Sequence, residues 1–150
     1  MKALATDLSN NILLRGKRDH IKITPMKLQK LLYYVCRDYV KETGQTPINE
    51  EFSVWQFGPV LLSVYGEFKG FGKKPITAYA KDASGRSYRV SEEENPVLAR
   101  VIDVAWAKYK NLTGIELSQM THQEGAGWYR AYMAGHDKIS LEDMQRDTTG

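Results

Sequence analysis

Thr24-Pro25-Met26-Lys27-Leu28-Gln29-Lys30-Leu31-Leu32-Tyr33-Tyr34 reads as the opening of a helix. Thr24 suits the N-cap, where its hydroxyl accepts a bond from a free backbone N–H. Pro25 suits the first helical position, where its missing N–H costs nothing. Leu28, Leu31, Leu32, Val35 and Tyr39 then recur at helical spacing. The spacing predicts a helix over 24–43, halted by Gly44 in the left-handed conformation. At ~100° per residue, Leu28, Leu31, Leu32, Tyr33, Val35, Cys36, Tyr39 and Val40 span a wide apolar arc. Such an arc belongs to a central helix packed from several sides. Gln29 falls inside it. A buried amide left unpaired costs roughly 1–3 kcal/mol, so Gln29 is expected to bond backbone or another polar core group. Lys27, Lys30, Tyr34, Arg37, Asp38 and Lys41 share the remaining arc and read as an exposed basic stripe.

Residues 3–15 form an amphipathic pattern with Leu4, Ala5, Leu8 and Ile12 on one face, ended by Arg15-Gly16-Lys17-Arg18 with cations at the negative end of the helix dipole. Beyond Gly44, alternation over residues 52–56 favours a short strand. Gly58-Pro59 reads as a helix start, with Leu61, Val64, Tyr65 and Phe68 as the buried face. Residues 76–80 and 86–90 flank Lys81-Asp82-Ala83-Ser84-Gly85 and predict a β-hairpin, which with 52–56 makes a three-stranded sheet. Asn95-Pro96 starts another helix, carrying Leu98, Val101, Ile102, Ala105 and Tyr109. Thr113 and Glu116 have capping-box spacing. Short helices follow Gly127 and Ser140, and residues 146–150 are expected to fray. The fold class is mainly α (α+β), a compact bundle of roughly six or seven short helices around helix 24–43 with a small antiparallel sheet.

At 150 residues the chain is expected to be a single domain spanning 1–150, long enough to bury a core without staples. Hydrophobic residues make up 42% and charged residues 26%, an ordinary globular balance. No apolar run approaches the ~20 residues of a membrane span, and the first residues lack the apolar core of a signal peptide. The single cysteine, Cys36, suits a reducing cytoplasm. A net charge of +3 permits an acidic partner or nucleic acid without demanding either.

Metal chemistry fails on inventory: His20, His122, His136 and Cys36 offer no ligand spacing. No phosphate-cradling glycine loop is present, and no cofactor is expected. Ser118, Thr121, His122 and Glu124 are the densest polar group. Ser118 and His122 stand at i, i+4, the spacing of a nucleophile and its base on one helix face, but no orienting acid or oxyanion site accompanies them. The basic stripe with Tyr34 in its middle suits acidic protein surface or phosphates. Trp55, Trp128 and the nine tyrosines favour an interface, where an apolar body and a polar tip both find partners, with some of them serving as core.

Three stretches together resemble one family: Met26 to Tyr34; Trp55-Gln56-Phe57-Gly58-Pro59-Val60 with Tyr65; and Glu116-Leu117-Ser118-Gln119-Met120-Thr121-His122 with Trp128. In order and spacing they are similar to the Panacea domain, also called the SocA-like antitoxin domain, a group that includes phage-associated GepA-like proteins. The family's motif positions fall here on Leu28, Gln29, Lys30, Leu31, Tyr33, Trp55, Gly58, Pro59, Val60, Tyr65, Leu117, Ser118, Thr121, His122 and Trp128. The family usually has proline before the late tryptophan; this chain has Gly127.

The resemblance implies an antitoxin of a bacterial or prophage pair, non-enzymatic, neutralising a toxin encoded beside it by direct protein contact. It runs over nearly the whole chain and leaves no residues for a separate DNA-binding domain, so sequence-specific DNA binding is not expected. Lys27, Lys30, Tyr34, Arg37, Tyr65 and His122 are the candidate partner-binding residues. Gln29, Tyr33, Trp55, Gly58, Pro59, Ser118, Thr121 and Trp128 are motif positions with structural or functional roles. Two alternatives remain: a protease adaptor that delivers the toxin for degradation, and an enzyme or small-ligand binder using Gln29, Tyr33 and His122 in one pocket.

Overall fold

The computed structural model describes residues 2–150. The central helix, α2 (Pro25–Thr43), forms as its sequence directs: Thr24 Oγ1 accepts from the Lys27 N–H at 3.3 Å, and Gly44 closes the helix at φ 75°, donating its N–H to Val40 O. Twelve of its nineteen residues are buried. They include Leu28, Leu31, Leu32, Tyr33, Val35, Cys36 and Val40, but also Lys27, Lys30, Tyr34 and Arg37 from the other arc. Both arcs are covered because α2 runs through the molecule, packing against α1 (Ala5–Asp19), α3 (Leu62–Phe68), α4 (Pro96–Tyr109), α5 (Gly114–Thr121) and α7 (Leu141–Gln145). A seventh helix, α6 (Gly127–Met133), packs on α5 and α7. The capping residues read from sequence hold: Asn95 starts α4, and Thr113 with Glu116 and Ser140 with Asp143 form complete capping boxes.

The fold departs from expectation at four places. First, α1 continues to Asp19, and His20 caps it at φ 56°. Gly16 is a close-approach point, since a Cβ there would meet Ile23 Cδ1 at 2.7 Å and Ile21 O at 2.9 Å. Arg15 folds inward to Glu92 (2.7 Å) and Asp103 (2.8 Å).

Second, Gly58-Pro59 does not start a helix. Gly58–Val60 is a strand, β2, paired antiparallel with β1 (Ser53–Trp55) in the register Ser53–Val60, Val54–Pro59, Trp55–Gly58. Proline is tolerated opposite Val54 because the Val54 N–H points the other way, to Asp137 O at 3.0 Å. The helix begins only at Leu62.

Third, residues 76–80 and 86–90 form no hairpin, and the sheet has two strands. Two asparagines of α1 take the bonds a ladder would use. Asn10 receives the Ala80 N–H at 2.8 Å and donates to Ala80 O (3.1 Å) and Tyr88 O (2.7 Å). Asn11 receives the Val90 N–H at 2.8 Å and donates to Val90 O at 2.9 Å.

Fourth, residues 146–150 do not fray. Asp147 is fully buried and Thr149 nearly so. The segment lies over α2, where Tyr33 Oη donates to Asp147 at 2.5 Å, Tyr34 Oη pairs with Thr149 Oγ1 at 3.0 Å, and Arg37 reaches Asp147 and Thr149 O.

Candidate functional site

The three motif stretches, far apart in sequence, converge on the β1–β2 hairpin. Its main-chain carbonyls are caught one after another by side chains from the helices. Trp128 Nε1 donates to Trp55 O at 2.7 Å. A His122 ring nitrogen, Nε2, lies 2.6 Å from Gln56 O. Ser118 Oγ donates to Phe57 O at 2.9 Å. Lys30 Nζ donates to Pro59 O at 3.1 Å. Gln29 then brackets Leu61, donating to its carbonyl at 3.0 Å and accepting its N–H at 2.9 Å. Gly58 has φ 110°, a conformation that favours glycine, and a Cβ there would come within 2.8 Å of Thr121 Oγ1 and 3.1 Å of Lys30 Cε. A two-stranded hairpin is marginal alone; here its turn is fixed by helices α2, α5 and α6.

What the clamp presents to solvent is aromatic. Phe57 sits at the turn with 61% of its surface exposed. Trp55 packs edge-on against Tyr65 of α3 at 4.9 Å, and Trp128 stacks on Tyr132 at 5.0 Å, with His122 4.3 Å from the Trp128 ring. Tyr65 and Tyr132 are each about half exposed. A shallow dent beside the turn is lined by Gln56, Phe57, Ser118, Gln119, His122 and Gln123.

The candidate residues thus separate. Tyr65 and His122 lie on this face. The basic stripe does not exist as a surface, because α4, α5 and residues 146–150 pack over it. Lys27 is buried and donates to Lys110 O at 2.5 Å, Lys30 is 1% exposed, Tyr34 is buried against Tyr109, and Arg37 is paired with Asp38 and Asp147. Lys41 alone stays exposed, donating to Gln145 O at 2.8 Å. Burial without a carboxylate partner pushes the Lys30 ammonium down to about 7.

The catalytic pairings are not assembled. Ser118 Oγ is spent on Phe57 O, and His122 Nδ1 faces the Ser118 carbonyl at 2.6 Å, not its hydroxyl. Gln29 and Tyr33 are buried on separate partners, Leu61 and Asp147, and neither reaches the dent beside His122. Phe57 and Tyr132, both well exposed, are not singled out by the sequence pattern. The sign available for Phe57 was an aromatic where a hairpin turn ordinarily takes polar or glycine residues; for Tyr132 it was the i+4 step from Trp128.

Comparison with known proteins places this arrangement. The family described as "Antitoxin SocA-like, Panacea domain" matches residues 28–129. The chain belongs to the SocA-like Panacea family. Antitoxin SocA of Caulobacter vibrioides (strain NA1000 / CB15N) is 29% identical to it over 127 residues, covering 83% of this chain and 68% of that protein. No solved structure matches the chain. In this Panacea chain five motif side chains, Gln29, Lys30, Ser118, His122 and Trp128, fasten the hairpin segment. Gly127, standing where the family usually has proline, also has a local reason: its N–H donates to Asp147 at 2.9 Å, and a Cβ would strike Tyr33 Oη.

Proposed function

We propose that the chain is the antitoxin of a toxin–antitoxin pair and masks a co-encoded protein toxin by direct contact through the clamped hairpin face. The observation that carries this is Phe57, a large apolar side chain held out at a turn whose flanking carbonyls are fixed by Trp128, His122, Ser118 and Lys30. An aromatic anchor that is already ordered loses little freedom on binding, and such anchors carry most of an interface's energy. Tyr65, Trp55 and Tyr132 around it supply the remaining contact area. The activity on this reading is binding rather than turnover, carried by one cytoplasmic domain with no operator recognition of its own. Family membership and the commitment of Ser118 and His122 to the hairpin support it, as does the packing of α1 and α7, outside residues 28–129, on α2.

The experiment is co-expression with the product of the adjacent gene, followed by co-purification, for wild type and for Phe57→Asp. Wild type should restore growth and hold the toxin in a complex. Phe57→Asp should fold normally and weaken the complex at least ~30-fold, the effect of losing a contact worth about 2 kcal/mol. Rescue of growth without any complex removes direct masking. A complex unaffected by Phe57→Asp removes the hairpin from the interface.

A further inference from the structure

A second surface lies away from the hairpin. The end of α1 and the irregular segments 21–23 and 75–79 enclose a groove of about 530 Å³. That is the size of a ligand cleft, ordinarily about 300–1,000 Å³. Its floor is apolar: Leu13 and Ile23 are buried, while Ile21, Ile76 and Tyr79 are half-buried. Its rim carries exposed Lys17, His20 and Lys22, and no carboxylate lines it among the described residues. Among the described residues neither Lys17 nor Lys22 makes a side-chain hydrogen bond or ion pair, whereas Asp19, between them in sequence, is turned to Arg18 and to Trp106 Nε1.

The main chain of the two walls is only partly paired among the described residues. Ile76 N–H donates to Ile23 O at 2.8 Å and ties one wall to the other. Beside that bond, the N–H groups of Lys22, Thr77, Ala78 and Tyr79 donate to nothing among the described residues. Thr77 and Ala78 are exposed. An extended peptide pairs with alternate main-chain donors, here the unpaired N–H groups of Thr77 and Tyr79, while its side chains fill the adjacent apolar trough. Free cations on the rim with no counter-acid select the charge of what enters.

We propose that this groove docks an extended peptide segment of a protein partner in which acidic residues alternate with apolar ones. The apolar side chains lie on Leu13, Ile23 and Ile76, the carboxylates meet Lys17 and Lys22, and the peptide carbonyls accept from the Thr77 and Tyr79 N–H groups. This does not rest on the toxin-masking reading of the hairpin; it concerns a different face and stands or fails separately.

The test uses the full chain and a fluorescein-labelled seven-residue probe alternating glutamate and valine, followed by fluorescence anisotropy and by amide shifts in a two-dimensional NMR spectrum. Saturable binding is expected, with perturbed amides confined to residues 21–23 and 75–79. Lys17→Glu with Lys22→Glu, both at exposed positions, should weaken it at least tenfold with an unchanged circular dichroism spectrum. A probe with N-methyl groups on alternate peptide nitrogens, and a probe with lysine in place of glutamate, should each bind at least tenfold more weakly. Absence of saturable binding overturns the proposal. So does equal affinity for the lysine probe, indifference to the double variant, or amide shifts centred on the hairpin. Free acetate perturbing the same amides to the same extent also overturns it, since the site would then take any carboxylate.

Discussion

Lys30 carries a conflict that a pH titration reads out. It fixes the hairpin through Pro59 O, yet no carboxylate stands within ion-pair distance of it among the described residues. In the unfolded chain its ammonium keeps the proton to near the ordinary 10.5, while in the folded chain burial releases it at about 7. Between those values the unfolded state binds more protons, so this group makes folding more favourable as pH rises. Below about 7 the cost of burying the charge is fully present. Lys30→Met removes the titration and leaves Pro59 O without its donor at every pH, a constant cost. The stability of wild type relative to Lys30→Met, from urea unfolding, should therefore rise between about pH 6 and about pH 9, by on the order of 2 kcal/mol. Cys36, Tyr33 and Tyr34, whose buried thiol and phenols are pushed up, act in the opposite direction at higher pH, but identically in both proteins. A difference that stays flat across the range would show that Lys30 keeps its proton inside the fold.

Residues 146–150 show how an irregular segment can join several elements through one buried carboxylate. Asp147 accepts from Tyr33 Oη, the Gly127 N–H, Arg37 Nη1 and the Thr149 N–H, so one carboxylate joins α2, the start of α6 and the segment itself. Without Asp147, Arg37 keeps Asp38, but the buried Tyr33 Oη and Gly127 N–H lose their acceptor, at a cost of about 1–3 kcal/mol for each group left unsatisfied. Asp147→Ala should lower unfolding stability by that order, which denaturant melts will register as a lower midpoint. A change within ~0.5 kcal/mol, the usual range for surface substitutions, would return this segment to the frayed state that its sequence suggests. That segment was illegible because a pentapeptide with no period and no cap has no local preference; its order comes from Tyr33, Tyr34 and Arg37 of α2 and from the main chain of Gly125 and Gly127. The same gap explains the basic arc of α2. Periodicity separates faces of a helix but does not say what packs on the second one, so lysines and an arginine read as solvated. Caps, by contrast, are local chemistry, and Thr24, Asn95, Thr113 and Ser140 were legible. Asn10 and Asn11 were not, since their bonds to Ala80 and Val90 depend on a loop some 70 to 79 positions away. The motif stretches were legible as a set, but their convergence on the hairpin carbonyls was not, because Gly58-Pro59 carries the same local signature at a helix start and in this strand.

Taken together, the chain has two mechanically different sides. On one, the hairpin is fastened to α2, α5 and α6, and α2 has neighbours on all faces. On the other, residues 72–95 cross α1 with no helix or strand of their own. Local opening should follow that division, because amides open cheaply where few buried contacts and few hydrogen bonds must break. Native-state hydrogen exchange is expected to give the slowest amides at Leu31 to Cys36, exchanging only when the whole molecule unfolds. Residues 83–89 should exchange fast. The informative amides are Ala80 and Val90, which donate to Asn10 Oδ1 and Asn11 Oδ1 and should stand out as two protected sites within the irregular stretch. Asn11→Ala should then release Val90 while Ala80 stays protected, since each asparagine holds its own loop residue. Uniform fast exchange across 76–90 would mean that α1 does not hold the loop. Slow exchange on alternate residues of 76–80 and 86–90 would instead reveal the hairpin ladder that the sequence pattern suggests and the fold replaces with two side chains.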